Sequence, residues 1–142
     1  HLMVITNNIN VANRMRPFPK FEVVIAGGVV RASDGGIIGE AAVDFIRQFK
    51  VDFAVIGTSA IDADGALLDF DFREVKVAQA IMANARHVIL VSDRTKFERT
   101  APVRIGHISQ VHTFVTDRCD QESVRRICAE NEVALIETDA RA

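Results

Sequence analysis

Six short runs of β-favouring residues, VIT (4–6), FEVVIAG (21–27), VDFAVIG (51–57), HVILVSD (87–93), HTFVTD (112–117) and VALIET (133–138), punctuate the chain, each bounded by Gly, Asp, Asn or Thr. Several lack polar alternation, so they suit a sheet covered on both faces, as parallel sheets are. The segments between them supply the cover. Helical patterning is read at 8–15, 39–49, 71–85 and 121–132. In the third of these, Val75, Ala78, Ile81, Met82 and Ala85 recur at helical spacing, which predicts an apolar stripe facing the sheet. Asp71 is placed to cap that helix, with Glu74 at the capping-box position. Asp120 is the expected cap of the last helix, whose inner face is Val124, Ile127 and Cys128. Strand and helix in alternation predict an α/β domain with a mostly parallel sheet flanked by helices.

A chain of 142 residues fits one domain, and 49% apolar with 25% charged residues is the balance of a globular protein. The net charge of −2 and the scatter of Lys and Arg argue against a segment that grips nucleic acid by itself. Cys119 and Cys128 lie outside any CxxC pattern, and with four scattered histidines they form no zinc set, so no metal is expected and a reducing cytoplasm is the default. No apolar run approaches the roughly 20 residues of a membrane span. The opening HLM reads as a cloning remnant over residues 1–3, ahead of a fragment of a longer protein.

Two irregular stretches interrupt the alternation. GGVVRASDGGIIG (27–39) has paired glycines but neither the spacing of a dinucleotide fingerprint nor a Walker lysine. Its glycines read equally as turn formers, Gly27 and Gly28 at a bend, Gly35 and Gly36 closing a hairpin. GTSAIDADGALLDFD (57–71) reads as a long connection with a turn at Asp64-Gly65. Both follow strands, and in open α/β sheets ligands collect beyond the carboxyl ends of the strands.

After HVILV, residues Ser92, Asp93, Thr95 and Lys96 leave the strand together. Asp93 is placed to cap the turn RTKFER. A lysine on such a turn can meet a phosphate while free backbone N–H groups add donors; a plain capped surface turn fits the same residues. Glu74 and Lys76 lie about 200° apart on a helix, so at most one of them faces a crevice. Thr6 and Asn7 at the end of the first strand suit either sugar hydroxyls or the cap of the following helix. There is no Gly-x-Ser-x-Gly elbow and no nucleophile with a partner, so no catalytic residue is assigned.

Taken in order, TNN, IAGG, GGIIGE, IGTSAIDADGALLDFDFREVK and SDRTKF resemble the C-terminal effector-sensing domain of DeoR-type bacterial transcriptional repressors, over nearly all of residues 4–142. The resemblance implies a fold similar to ribose-5-phosphate isomerase and the CoA transferases, truncated at its N-terminus. It implies that the first strand and phosphate-cupping loop of the sensor, and the winged helix-turn-helix that reads operator DNA, lie outside this chain. It carries over Glu74 to the place of the isomerase base and Lys96 to that of a phosphate-holding lysine. Thr6, Asn7, Gly27, Gly28, Gly57 and Asp62 correspond to strand-end positions lining the same crevice.

The isomerases carry a lysine in a glycine-rich segment ahead of the base, whereas ALLDFDFRE has neither lysine nor glycine pair. A lone Glu74 lacks the groups that stabilise an enediolate, so binding without turnover is expected. The implied function is thus a cytoplasmic, homo-oligomeric regulator that needs no cofactor. It binds a phosphorylated small metabolite, glycerol-3-phosphate being the first choice. A sugar-phosphate isomerase is the alternative, and a module for self-association is the third reading.

Overall fold

The computed structural model describes residues 1–139 and divides the chain into two compact units, His1–Phe49 and a second that begins at Lys50. Residues 140–142, the end of the sensing domain expected over 4–142, lie outside the described residues.

The first unit is built on two parallel strands, β1 (Leu2–Thr6) and β2 (Phe21–Ile25), in register from Leu2↔Phe21 to Thr6↔Ile25. β1 begins two residues earlier than the sequence suggests, so Leu2 and Met3, read as a remnant, pair in the sheet. Between the strands runs α1 (Ile9–Met15). Asn8 caps it, accepting the N–H groups of Asn10 at 2.8 Å and Val11 at 3.3 Å, and Pro17 follows its end.

After β2 the glycine-rich stretch forms a hairpin, with β3 (Val29–Val30) antiparallel to β4 (Ile37–Ile38). Gly28 has φ +149°, and a Cβ there would lie 2.7 Å from the Ile38 carbonyl oxygen, so glycine is required where the chain enters the hairpin. At the tip, Asp34 accepts the Gly36 N–H at 2.9 Å. This is the bend-and-hairpin reading of the paired glycines. The unit ends with α2 (Glu40–Ile46), shorter at both ends than the 39–49 pattern.

The second unit holds a four-stranded parallel sheet of β5 (Val51–Ile56), β8 (Ala85–Val91), β10 (Thr113–Thr116) and β11 (Ala134–Glu137), ordered β11-β10-β8-β5. α3 (Phe72–Ala83) links β5 to β8, and α4 (Glu122–Glu130) links β10 to β11. The expectation of an α/β fold with a mostly parallel sheet and flanking helices is met.

The long connection at 57–71 is not a plain loop. It contains β6 (Ala60–Ile61) and β7 (Ala66–Asp69), which pair antiparallel and, with β9 (Val103–His107), make a second sheet. The DADG turn joins β6 to β7; Gly65, at φ +91°, would bring a Cβ within 2.6 Å of His107 Nε2. The apolar pairs in these strands are too short for a periodicity argument, which is why the sequence shows only their turn.

One core joins sheet and helices: Ile56 from β5, Val88 and Leu90 from β8 and Phe114 from β10, Val75 from α3, Val124 and Cys128 from α4, with Leu67 and Ile108 from the second sheet and the turn beyond it. Phe97 packs edge-on against Phe114 with centroids 6.2 Å apart. Of the predicted α3 stripe, Ala78, Ile81, Met82 and Ala85 all pack against this core beside Val75, Ala85 doing so from the first position of β8. Val77 and Ala80 are buried too, so α3 is covered more widely than by one stripe.

Cover on both sheet faces, expected from the unalternating strands, is not what this unit shows. Its helices lie on one face, and on the other Phe53 and Val55 are 66% and 67% exposed. Asp120 is also not the cap of α4: the residue before the helix is Gln121, which makes no capping bond, and Asp120 instead binds Arg118 Nε at 2.7 Å. No helix among the described residues is long and apolar enough to cross a membrane.

Candidate functional site

In the first unit, Thr6 ends β1 beside Ile25, Asn7 follows it, and Gly27 and Gly28 come one residue after the end of β2, so the strand register brings four of the predicted residues to one end of this small sheet. Their polar groups are engaged there. Thr6 Oγ1 accepts the Asn8 N–H at 3.1 Å, and Asn7 Nδ2 donates to the Ile37 carbonyl at 3.1 Å while the Ile37 N–H donates back to Asn7 at 2.6 Å. Asn8 and Asn10 both donate to the Asp34 carbonyl, at 3.1 and 3.2 Å. These contacts tie the end of β1 to the glycine hairpin.

In the second unit, the carboxyl ends of the parallel strands form a rim. Gly57 follows β5, and a Cβ on it would meet the Val91 carbonyl at 3.9 Å, so it sits beside the end of β8. Lys96 lies on a 3-10 turn, Arg94–Glu98, that leaves the end of β8. α3 runs straight into the start of β8, so its first turn, which carries Glu74, lies about 18 Å back at the strands' carboxyl ends. Glu74 is half-buried and Lys76 exposed, in keeping with one of the two facing inward. Asp62 opens the turn after β6, its backbone bonded to Ala66 and Gly65, and β6 packs against the Lys96 turn.

Charge and hydrogen bonds fix that turn. Asp93 accepts the Thr95 N–H at 2.9 Å and the Thr95 hydroxyl. The Lys96 N–H donates to the Asp93 carbonyl at 3.2 Å, and the Arg94 N–H to Asp117 Oδ1 at 2.8 Å. The backbone N–H groups that the sequence offers to a phosphate are therefore already taken. What remains for an anion is the Lys96 ammonium, 3.8 Å from Asp93 Oδ2 and 21% exposed, more sheltered than a surface-turn lysine.

The Thr95 hydroxyl and N–H, with Lys96 beyond them, hold the Asp93 carboxyl below its ordinary range. For Asp117, desolvation pulls the carboxyl upward, but the N–H groups of Arg94 and Arg118 and the Arg94 charge outweigh it and leave it lowered. Arg94 and Arg118 reach on to Asp139, at 4.0 and 3.9 Å. Beside the turn, the Ser92 hydroxyl is buried and has no hydrogen-bond partner among the described residues. Such an orphan marks a position that a water or a ligand satisfies.

A cavity of about 450 Å³ opens elsewhere in this unit, between α3 and β9, lined by Gln79, Arg104, His107, Ser109 and Gln110 among others. None of the eight predicted residues lines it. Several of its polar groups serve one another: His107 Nδ1 meets the Ser109 hydroxyl at 2.7 Å, and Gln79 donates to the carbonyl of Ile105 at 3.1 Å. Among the described residues no cluster of three or more His, Cys, Asp or Glu could hold a metal ion.

Phe70 and Phe72, at the start of α3, were passed over by the sequence reading, as was Asp117. Phe70 and Phe72 carried a signal, being large apolar residues on either side of a helix cap. The contact of Asp117 with Arg94, 23 residues away, left none.

The family described as the DeoR C terminal sensor domain matches residues 1–118. The glycerol-3-phosphate regulon repressor of Escherichia coli (strain K12) is 47% identical over 135 residues, which cover 95% of this chain and 54% of that protein. The repressor of the same name from Haemophilus influenzae is 51% identical over 115 residues, 81% of this chain and 45% of that protein. The HTH-type transcriptional repressor CsqR of Escherichia coli is 38% identical over 136 residues, 96% and 52% of the two chains. The chain spans about half the length of these curated relatives.

Proposed function

Because this chain belongs to the family of DeoR C-terminal sensor domains, we propose that it is the effector-binding part of a bacterial transcriptional repressor, and that its effector is a phosphorylated small metabolite. The observation that carries the site is the Lys96 turn at the carboxyl rim of the parallel sheet, with a sheltered ammonium and the orphan Ser92 hydroxyl next to it. Glycerol-3-phosphate is the first choice, since two relatives at 47% and 51% identity are named for its regulon. In the second unit Gly57, Asp62 and Glu74 are the further ligand-binding residues in this reading; in the first unit Thr6, Asn7, Gly27 and Gly28 are candidates by themselves. Operator DNA is bound by another part of a longer, cytoplasmic and homo-oligomeric protein; the net charge of −2 supports assigning that contact elsewhere.

The ligand acts by binding one state of the whole repressor better than another, and no covalent step is required. The relatives are named as repressors, which supports a regulator that does not turn its ligand over. A thermal-shift series with glycerol-3-phosphate, triose phosphates and pentose phosphates tests this. A ligand at about 100 times its dissociation constant adds about 2.7 kcal/mol to stability. The expected result is a shift with a phosphorylated metabolite, reduced by Lys96→Ala, and no product formed. Failure of every phosphorylated metabolite to shift the protein would overturn the reading. Turnover of ribose-5-phosphate abolished by Glu74→Gln would replace it with the isomerase.

A further inference from the structure

Phe70 and Phe72 are 63% and 60% exposed on either side of Asp71, the cap of α3. Two exposed aromatic residues this near in the chain offer apolar contact area to a ligand. The backbone beneath them is not a loose tip. Asp69 accepts the Ser59 hydroxyl at 2.9 Å and the Phe70 N–H at 2.7 Å, and it pairs in register with Val103 of β9. On the other side, Asp71 accepts the Arg73 N–H at 2.8 Å and meets its guanidinium at 3.3 Å. The rings are thus presented on chain fixed at both flanks, as aromatic contact residues are when binding is not to cost loop ordering.

The backbone that carries them lies at the carboxyl rim. Ser59 lies three residues beyond the end of β5, and its N–H donates to the Leu68 carbonyl at 3.0 Å, so Asp69 and Phe70 sit at the carboxyl rim. β6, which follows Ser59, packs against the turn that carries Lys96. The first turn of α3 stands at the same rim.

We infer that Phe70 and Phe72 form the apolar wall of the rim site, covering the carbon skeleton of a ligand whose anionic group is taken by Lys96. The inference rests on the proposed effector site and narrows its ligand class to an organic phosphate monoester with a short C–H-bearing chain, as against inorganic phosphate. In this reading the rings contact the C–H-bearing chain and leave the ammonium–phosphate pair to Lys96.

The test is calorimetric titration of glycerol-3-phosphate and of inorganic phosphate into the protein, the double variant Phe70→Ser/Phe72→Ser, and Lys96→Ala. Because the rings are exposed, the double variant is expected to keep its melting temperature. It is expected to bind glycerol-3-phosphate about tenfold more weakly and inorganic phosphate as before, while Lys96→Ala weakens both. Unchanged glycerol-3-phosphate affinity in the double variant, with binding by the parent protein intact, overturns this inference alone. An equal loss for both ligands overturns it too, since the rings would then act through the Lys96 turn. A changed sedimentation coefficient with unchanged affinity assigns the rings to a protein interface instead. If the parent protein binds no organic phosphate, the effector reading falls and takes this inference with it.

Discussion

Asp93 and Lys96 face each other across 3.8 Å on the turn beyond β8, and the same carboxylate caps that turn through the Thr95 N–H. Asp93 is thus both a structural cap and the counter-ion of Lys96, which in the proposed site a phosphate would have to displace. Asp93→Asn separates the two roles, because the amide oxygen still accepts the N–H while the charge is gone. The variant should unfold at nearly the parent urea concentration and bind a phosphorylated ligand more tightly. Asp93→Ala should lose the cap, at a cost of about 1 kcal/mol. An Asn variant with no gain in affinity would show that the aspartate does not compete for the lysine.

The two glycines after β2 are not equivalent. A methyl group at Gly28 would sit 2.7 Å from the Ile38 oxygen on a backbone at φ +149°, whereas at Gly27 nothing lies within 4 Å. Gly28→Ala should therefore destabilise the protein by about 2 kcal/mol, and Gly27→Ala should leave it nearly unchanged. Denaturant melts of the pair measure the difference directly. Equal costs at the two positions would contradict the hairpin geometry.

Arg125 grips Glu137 through two nitrogens, at 2.8 and 3.1 Å, while Glu137 also accepts the Cys119 N–H at 3.1 Å. The Arg125 bond first, then the Cys119 N–H, lower the Glu137 carboxyl below its ordinary 4.5. A lowered carboxyl stabilises the fold above its unfolded value, and that contribution disappears as pH falls through the folded one. The stability gap between the parent protein and Glu137→Gln should accordingly be full near neutral pH and close as the solution is acidified below about pH 4. A gap that does not change with pH would place the effect in packing.

Cys119 and Cys128 are both buried, and burial pushes the Cys128 thiol up to about 11 and raises that of Cys119 as well. Neither should react quickly with a thiol reagent at about pH 8 in the folded protein, and both should react once it is unfolded. A fast-reacting thiol in the native state would mean that the α4 face opens.

The parallel strands and the α-helices of the two units could be read from the sequence because their signals are local. Apolar runs such as HVILV mark strands, though not their cover, and Asp71 and Asp93 cap where a short acidic side chain ahead of a turn predicts. The second sheet could not be read, since β6 has two residues and β9 finds its partner by distant pairing such as Ala66↔His107. Asp120 misled for a related reason: a cap position is local, but Arg118 two residues before it offered a stronger bond. At the candidate site, Lys96 and Glu74 stood out as charges at strand and helix ends. The engagement of the turn's N–H groups was hidden, because the Arg94 amide is satisfied from β10's end by Asp117.

Asn8, Asp34, Asp64, Asp71 and Asp93 each accept the N–H two residues further on, at 2.8 to 2.9 Å. Five bends are in this way stitched before any visitor arrives. A receptor with its bends already set has little slack left to surrender, so occupancy should register weakly in amide-exchange protection at those five points. In the proposed sensor, a signal would then travel as a displacement of intact pieces.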